Sequence, residues 1–389
     1  MEENRKVELN NIEFILVVLI SLFIGISMTF VYLKLDKKHS DNYIKASDSI
    51  QTIIDTYNNI KNNYYTELGE ETLTDGAIKG MLEATGDPYS TFMDSTQYNN
   101  FNISLNGEYE GLGLEIANDG KDLTIVGIFA DSPALEAGLK LGDILVSIDN
   151  NKFAASQDFA DYVKNNSKKD FEIVINREEK EYIYNIEKRK ITLKSVFSNI
   201  TTGGDKKIGY IYVSTFALNT YEQFKEELEK IEKEDINSLI IDLRFNSGGE
   251  LKTTEKILEL FLDKTQIMYQ TEDRDGKIEK VYSKGIATRN YPIVILTNSN
   301  TASASEVLAA ALKDNLNATI IGEQTYGKGT MQTMLTLSDT TQYKITTKKW
   351  LTPKGEWIHG IGIKPDVEVK PDGEKDNQLE TAKEYLKNN

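Results

Sequence analysis

The sequence predicts an α/β core, a mixed sheet with covering helices, with a β-rich module inserted ahead of it and an apolar span near the N-terminus. Three observations carry that reading. Apolar runs at 238–243 and 293–296 each lead into a glycine- or hydroxyl-rich loop and then a helical pattern. That repeat is expected of a covered sheet with functional groups at its strand ends. Between 106 and 188, short strand patterns alternate with turns marked by Gly and Pro. Residues 14–33 supply about 20 uncharged, mostly apolar positions, enough to cross roughly 30 Å of hydrocarbon as a helix.

Composition narrows the chemistry. At 389 residues the chain is long enough for two or three domains with their own cores. A net charge of −16 argues against nucleic acid and anionic membrane surfaces as main partners. Cysteine is absent, which removes disulfides, thiolate nucleophiles and Cys-based metal sites, and leaves the redox compartment open. The histidines are His39 and His359, so a Ser-His-Asp triad or a His-rich metal site has almost nothing to be built from.

After a short tail at 1–13, the span at 14–34 reads as an uncleaved transmembrane anchor. A cleavable signal would have a shorter apolar core and a small-x-small site, and Thr29-Phe30-Val31-Tyr32-Leu33-Lys34 offers none. Lys34, Lys37 and Lys38 after the span outnumber Arg5 and Lys6 before it, a balance that by itself keeps the body inside. Residues 41–100 read as a helical region; its first helix, 41–62, with Ile44, Ile50, Ile53, Ile54, Tyr57 and Ile60 recurring at threes and fours, is a stalk, half of a dimer contact, or packed on its own domain. A short helix at 73–82 and the turn Asp87-Pro88-Tyr89-Ser90 belong to it.

Within 106–188, Gly111-Leu112-Gly113-Leu114 runs into a strand, and 123–129 is another. Ser132 and Pro133 start a helix that Gly138 ends. Gly142-Asp143-Ile144-Leu145 opens a third strand, 156–165 is a helix, and strands at 171–176 and 181–187 complete the module. The core, 190–369, reads as a strand at 209–213, a helix at 220–233, the strand 238–243 and the loop Asn246-Ser247-Gly248-Gly249. A helix follows, then the strand 293–296, a helix at 306–312 and strands at 318–322 and 343–347. Residues 370–389 form a polar tail with a short amphipathic helix.

The chemistry converges on 298–332. Thr301, Ser303 and Ser305 sit where a strand becomes a helix, and each is a reacting hydroxyl or only a cap. A serine nucleophile needs a base. His359 is one choice, and Lys328, between Gly327 and Gly329, is the other. A lysine serves only when neutral, so burial or nearby positive charge must bring its pKa from about 10.4 towards 7–8. Gly248 and Gly249 allow φ > 0 and close backbone approach, so their amides either stabilise an oxyanion or make a plain turn.

Two resemblances sharpen this. The Gly-Leu-Gly-Leu loop, the Ser132-Pro133-Ala134 helix and the Gly142-Asp143-Ile144-Leu145 strand occur in the order of a PDZ domain. The likeness implies that an extended peptide pairs with the strand at 113–116. Loop amides of Glu110, Gly111, Leu112 and Gly113, leading to Leu114, take its terminal carboxylate. From 64 to 369 the chain resembles the carboxy-terminal processing peptidases, the tail-specific PDZ-containing serine proteases with a Ser-Lys dyad. The motifs are Asp87-Pro88-Tyr89-Ser90, Asp242-Leu243-Arg244-x-Asn246-x-Gly248-Gly249, Thr301-Ala302-Ser303-Ala304-Ser305-Glu306, Gly327-Lys328-Gly329-x-x-Gln332 and Gly362-Ile363-x-Pro365-Asp366.

That family resemblance implies Ser303 as nucleophile, Lys328 as base 25 positions later (328 − 303), and Gln332 orienting the base. It implies an oxyanion hole of the Ala304 and Gly249 amides, with Gly248 as the alternative, and a structural role for Asp314. Acyl transfer would need no metal and no cofactor, and the PDZ domain would gate it. Expected partners are protein or peptide C-termini, the membrane through one helix, and a second copy in a homodimer, with no nucleic acid. The body is expected outside the cell membrane. The alternative is a non-catalytic PDZ-bearing adaptor, against which the intact Ser303, Lys328 and Gln332 speak. A β-lactamase-like site would place a lysine three after the serine, where Glu306 stands.

Overall fold

The computed structural model describes residues 48–120, 122–336, 342–373 and 375–389. The expected anchor at 14–34 lies outside the described residues, among which no helix is long and apolar enough to cross a membrane. The chain divides into two compact units, the first ending at Gly80 and the second running from Met81 to Asn389. The first contains α1 (Asp48–Asn63) and most of α2 (Glu70–Glu83). Ile53, Tyr57 and Ile60 of α1 face Leu73 and Ala77 of α2 across a groove of about 400 Å³.

The second unit starts with β1 (Thr91–Met93) and α3 (Ser95–Asn106). The start of α3 is set by a reciprocal cap: the Gln97 amide donates to Asp94 Oδ1 at 2.8 Å, and the Asp94 amide to Gln97 Oε1 at 3.2 Å. Gly107, at φ 69°, ends it. The β-rich module comprises β2 (Glu108–Gly111), β3 (Leu114–Asp119), β4 (Asp122–Ile128), α4 (Pro133–Ala137), β5 (Ile144–Ile148), α5 (Ser156–Asn165), β6 (Asp170–Arg177), β7 (Lys180–Glu187) and β8 (Arg189–Thr192). Strands β3 to β7 form one antiparallel sheet in sequence order, while β2 and β8 pair where the chain enters and leaves. Phe171, Ile173 and Ile175 alternate inward along β6 onto Ile125, Ile148 and Phe159.

The core follows as β9 (Val196–Gly203), β10 (Lys206–Val213), α6 (Thr220–Glu232), β11 (Ser238–Asp242), α7 (Leu251–Leu258), β12 (Ile267–Glu272), β13 (Ile278–Tyr282), β14 (Ile293–Thr297), α8 (Ala304–Leu316), β15 (Thr319–Gly322), β16 (Thr330–Thr336), β17 (Gln342–Leu351), β18 (Val367–Glu368) and α9 (Asn377–Asn388). One sheet has the order β18-β15-β14-β11-β10-β9, parallel except for β9. Its central strands β11 and β14 are buried on both faces, and the side chains sort by parity. Leu239, Ile241, Ile293 and Ile295 join the cluster of Phe224, Ile257 and Leu308 from α6, α7 and α8. Ile240, Val294 and Leu296 join Ala382 and Leu386 of α9. The C-terminal helix therefore covers one face of the sheet rather than trailing from it.

A second, antiparallel sheet runs β1-β17-β12-β13, with β16 also on β17. Residues 91–93, read from sequence as part of a helical region, are thus a strand in register with Tyr343 and Lys344. Loops 243–249 and 298–303 leave the carboxyl ends of the adjacent parallel strands β11 and β14, where open α/β sheets place their sites.

Candidate active site

The backbone at Ser303 is held in a conformation that L residues avoid, φ 56° and ψ −117°. Holding a non-glycine residue there costs on the order of 1–3 kcal/mol and persists only where the surroundings over-determine it. Asn246 is one of those surroundings. Its carbonyl accepts from the Ala302 amide at 3.0 Å and from Ser305 Oγ at 2.9 Å. Its side chain donates to Val213 O and accepts from the Gly248 amide, both at 2.9 Å. One buried asparagine therefore joins the two loops.

These contacts separate the three hydroxyls that sequence left open. Thr301 Oγ1 donates to Leu243 O at 2.9 Å and is fully buried, and Ser305 Oγ is equally buried on Asn246 O. Both are structural. Ser303 alone of the three is partly exposed.

The glycine pair lies directly against it. A Cβ on Gly248 would come within 2.9 Å of Ser303 Cβ and 3.1 Å of Ala304 N, and one on Gly249 within 2.2 Å of Phe216 O. With φ at 105° and 140°, neither position accepts a side chain. The Gly248 amide is already given to Asn246 Oδ1. The Gly249 and Ala304 amides donate no hydrogen bond among the described residues.

Lys328 sits on a turn that two glycines fit under its neighbours: a Cβ on Gly327 would lie 2.7 Å from Gly362 N, and one on Gly329 2.8 Å from His359 N. Its carbonyl accepts from Trp350 Nε1 at 2.7 Å. Burial first, and then the charge of Lys344, hold the Lys328 ammonium below its ordinary value, against the opposing charges of Asp87 and Glu306. Nζ lies 4.9 Å from the centre of the Tyr89 ring. Among the described residues no hydrogen bond joins Lys328 Nζ to Ser303 Oγ.

Glu306 went unassigned in the sequence reading, yet it is the centre of this arrangement. Its fully buried carboxylate accepts from the amides of Ser303 (2.8 Å), Gly327 (2.7 Å) and Lys328 (2.9 Å), and from Thr325 Oγ1 (2.5 Å). Burial pushes its carboxyl above the usual range, while those four donors pull the other way. The signal in the sequence was Ser303-x-x-Glu306, which reads as an ordinary helix cap. Lys344, from β17, had no signal at all.

The remaining candidates stand further off. Gln332, on β16, donates to Thr330 Oγ1 at 3.1 Å and Thr346 Oγ1 at 2.9 Å, and no hydrogen bond links it to Lys328. The His359 ring stacks on Trp357, and its Nδ1 accepts from the Gly329 amide at 3.3 Å. Asp314 accepts from Lys354 Nζ at 3.1 Å.

In the β-rich module, Glu110, Gly111, Leu112, Gly113 and Leu114 line a cavity of about 630 Å³, with Phe159 and Val163 of α5 opposite and Thr96, Asn99 and Ile103 of α3 along its side. Gly113 has φ 84°, and a Cβ there would lie 2.2 Å from Ser132 Cβ. The Leu112 and Gly113 carbonyls are taken by Ala134 and Phe129 amides, while their own amides have no backbone acceptor among the described residues.

A partly exposed, strained serine beside unpaired amides, a sheet with its loops at the strand ends and a peptide-sized groove define the class of serine peptidases with a PDZ domain. Residues 207–369 match peptidase family S41, residues 111–187 a PDZ domain, and residues 22–97 the N-terminal domain of the activating protease CtpB. The chain is 36% identical over 330 residues to the carboxy-terminal processing protease CtpB of Bacillus subtilis (strain 168), covering 84% of this chain and 68% of that one. It is 35% identical over 336 residues to the CtpA protease of the same organism, covering 85% and 71%. Among solved structures, a photosystem II D1 C-terminal processing protease aligns at 25% identity and a TM-score of 0.50, covering 88% of this chain and 98% of that one. The chain belongs to the carboxy-terminal processing proteases of peptidase family S41, and is a serine-type peptidase.

Proposed function

We propose that this protease recognises protein C-termini in its PDZ groove and cleaves by a Ser303/Lys328 dyad through an acyl-enzyme. Ser303 Oγ attacks the scissile carbonyl carbon, and its proton passes to neutral Lys328 Nζ. The Gly249 and Ala304 amides hold the oxyanion. The C–N bond then breaks, Lys328 returns the proton to the leaving amine, and water attacks the ester in a second round that frees Ser303. Lys328 Nζ must leave the Tyr89 ring and come within hydrogen-bond reach of Ser303 Oγ for the first transfer, a tightening common on substrate binding. Gln332, held by two threonines, is the residue we assign to orienting that lysine.

The observation that carries this reading is the Glu306 carboxylate, which binds the backbone amides of both Ser303 and Lys328. A single rigid acceptor sets the separation of nucleophile and base. We further place the body outside the cell membrane, anchored by the 14–34 span, as a homodimer. Ser303→Ala and Lys328→Arg test the dyad on an unstructured protein substrate. Both are expected to abolish cleavage, since a guanidinium keeps its proton at working pH. Full activity of Lys328→Arg would transfer the base role to His359.

A further inference from the structure

We infer that Tyr89 is a positioning residue for Lys328, its ring face setting where the ammonium rests and how readily it gives up its proton. This rests on Lys328 as the base. The Asp87-Pro88-Tyr89-Ser90 turn is built to present that ring. The Tyr89 amide donates to Asp87 Oδ1 at 3.1 Å, Ser90 Oγ to Asp87 Oδ2 at 2.6 Å, and the Thr346 amide to Ser90 Oγ at 3.0 Å. The turn is thereby fixed to β17, the strand that also carries Lys344. The Tyr89 ring meets His359 edge-on, centroids 6.2 Å apart at 73°, and the Tyr326 phenol lies beside its hydroxyl. That leaves one face for Lys328, whose Nζ lies 4.9 Å from the ring centre.

An aromatic face attracts the charged lysine and not the neutral one. Asp87 and Glu306 act in the same sense, while burial and Lys344 oppose them. His359 and Tyr326 touch the ring rather than the ammonium. Tyr89 thus holds a resting, protonated Lys328 and releases it when the proton leaves.

The test is the pH dependence of kcat/KM for the full chain and for Tyr89→Phe, Tyr89→Leu and Tyr89→Trp, with thermal melts alongside. Without the ring face the lysine loses its proton more easily, so the acid limb of Tyr89→Leu moves to lower pH by on the order of one unit. Tyr89→Phe keeps the limb in place, and Tyr89→Trp, with the stronger face, moves it upward. An unmoved limb in both Tyr89→Leu and Tyr89→Trp overturns the inference, as does a shift in Tyr89→Phe equal to that in Tyr89→Leu. Tyr89→Trp gives a reading even where Tyr89→Leu does not fold. Lys328→Ala separates the two layers: if it cleaves with the parent's acid limb, the dyad itself fails, whatever Tyr89 does.

Discussion

Around Ser303 the buried polar side chains are paired within the loops they fix, whereas around Gly113 the loop amides are left open. Asn246, Thr301, Ser305 and Glu306 are each fully buried, and each makes its hydrogen bonds inside the loops it fixes. In the PDZ groove the Leu112 and Gly113 amides face no backbone acceptor among the described residues. Saturated networks rigidify, and unsaturated ones wait for a ligand. On the proposed function, the reacting geometry is thus built in advance, while the groove is completed by the peptide strand that enters it.

Removing the hub of the first region should do the most damage. Glu306→Ala leaves four donors unpaired; kcat is expected to fall by about 100-fold or more as the proposed nucleophile and base separate, with KM little changed. Melting should show a loss of about 1–3 kcal/mol or more. Asn246→Ala comes next, with a loss of about 1–3 kcal/mol and a smaller drop in kcat, because the Gly248 turn loses its anchor while Glu306 still holds Ser303. On the groove side, Gly113→Ala should leave cleavage of a substrate lacking a free C-terminus unchanged. It should raise KM about tenfold for a C-terminal peptide, since its Cβ displaces the loop proposed to take the carboxylate.

The pH profile sharpens the same contrast. Because the Lys328 pKa is lowered by burial and by Lys344, the acid limb of kcat/KM should lie below about 10.4, and Lys344→Met should move it back upward. The smallest effect is expected at Asp143 of the PDZ domain. Burial pushes its carboxyl up, but hydrogen bonds from Arg177 at 2.6 Å and the Lys140 amide at 2.8 Å outweigh that and hold it low. The stabilisation is present above the unfolded value of about 3.9 and fades as pH falls through the lower folded one. Arg177→Met should flatten that dependence in acid melts and cost less than about 2 kcal/mol at neutral pH.

Sequence carried the parts in which local pattern and fold agree. The runs of β11 and β14, each a strand buried on both faces, were legible because Leu239, Ile240 and Ile241 in one and Ile293 to Leu296 in the other are unbroken apolar stretches. Helix α5 was legible because Phe159 and Val163 share one face. The Asn-rich helix α3 was not: Asn is a poor helix former, and its one clear sign was the spacing of Asp94 and Gln97. Strand β16 was hidden because its burial does not alternate cleanly, so the sequence reading assigned no strand to Gln332, which lies opposite Thr346. Glu306 and Lys344 illustrate a deeper limit. Each acts on residues brought near by tertiary pairing, and no local spacing announces a carboxylate that binds four donors or a cation lent by a neighbouring strand.

The backbone of Ser303 has a consequence for durability. Its torsions suit glycine, so the residue proposed to perform the chemistry is also one the fold would rather not contain. Ser303→Ala and Ser303→Gly both remove the hydroxyl, and their comparison isolates the backbone. At an ordinary rigid position glycine would be the less stable by roughly 0.5–1 kcal/mol. Here Ser303→Gly should melt at or above Ser303→Ala, and a clearly lower melting temperature would mean that the strain is absent. Reactivity and longevity are set against each other at a single pair of torsion angles, and a dead enzyme of this design should outlast the living one.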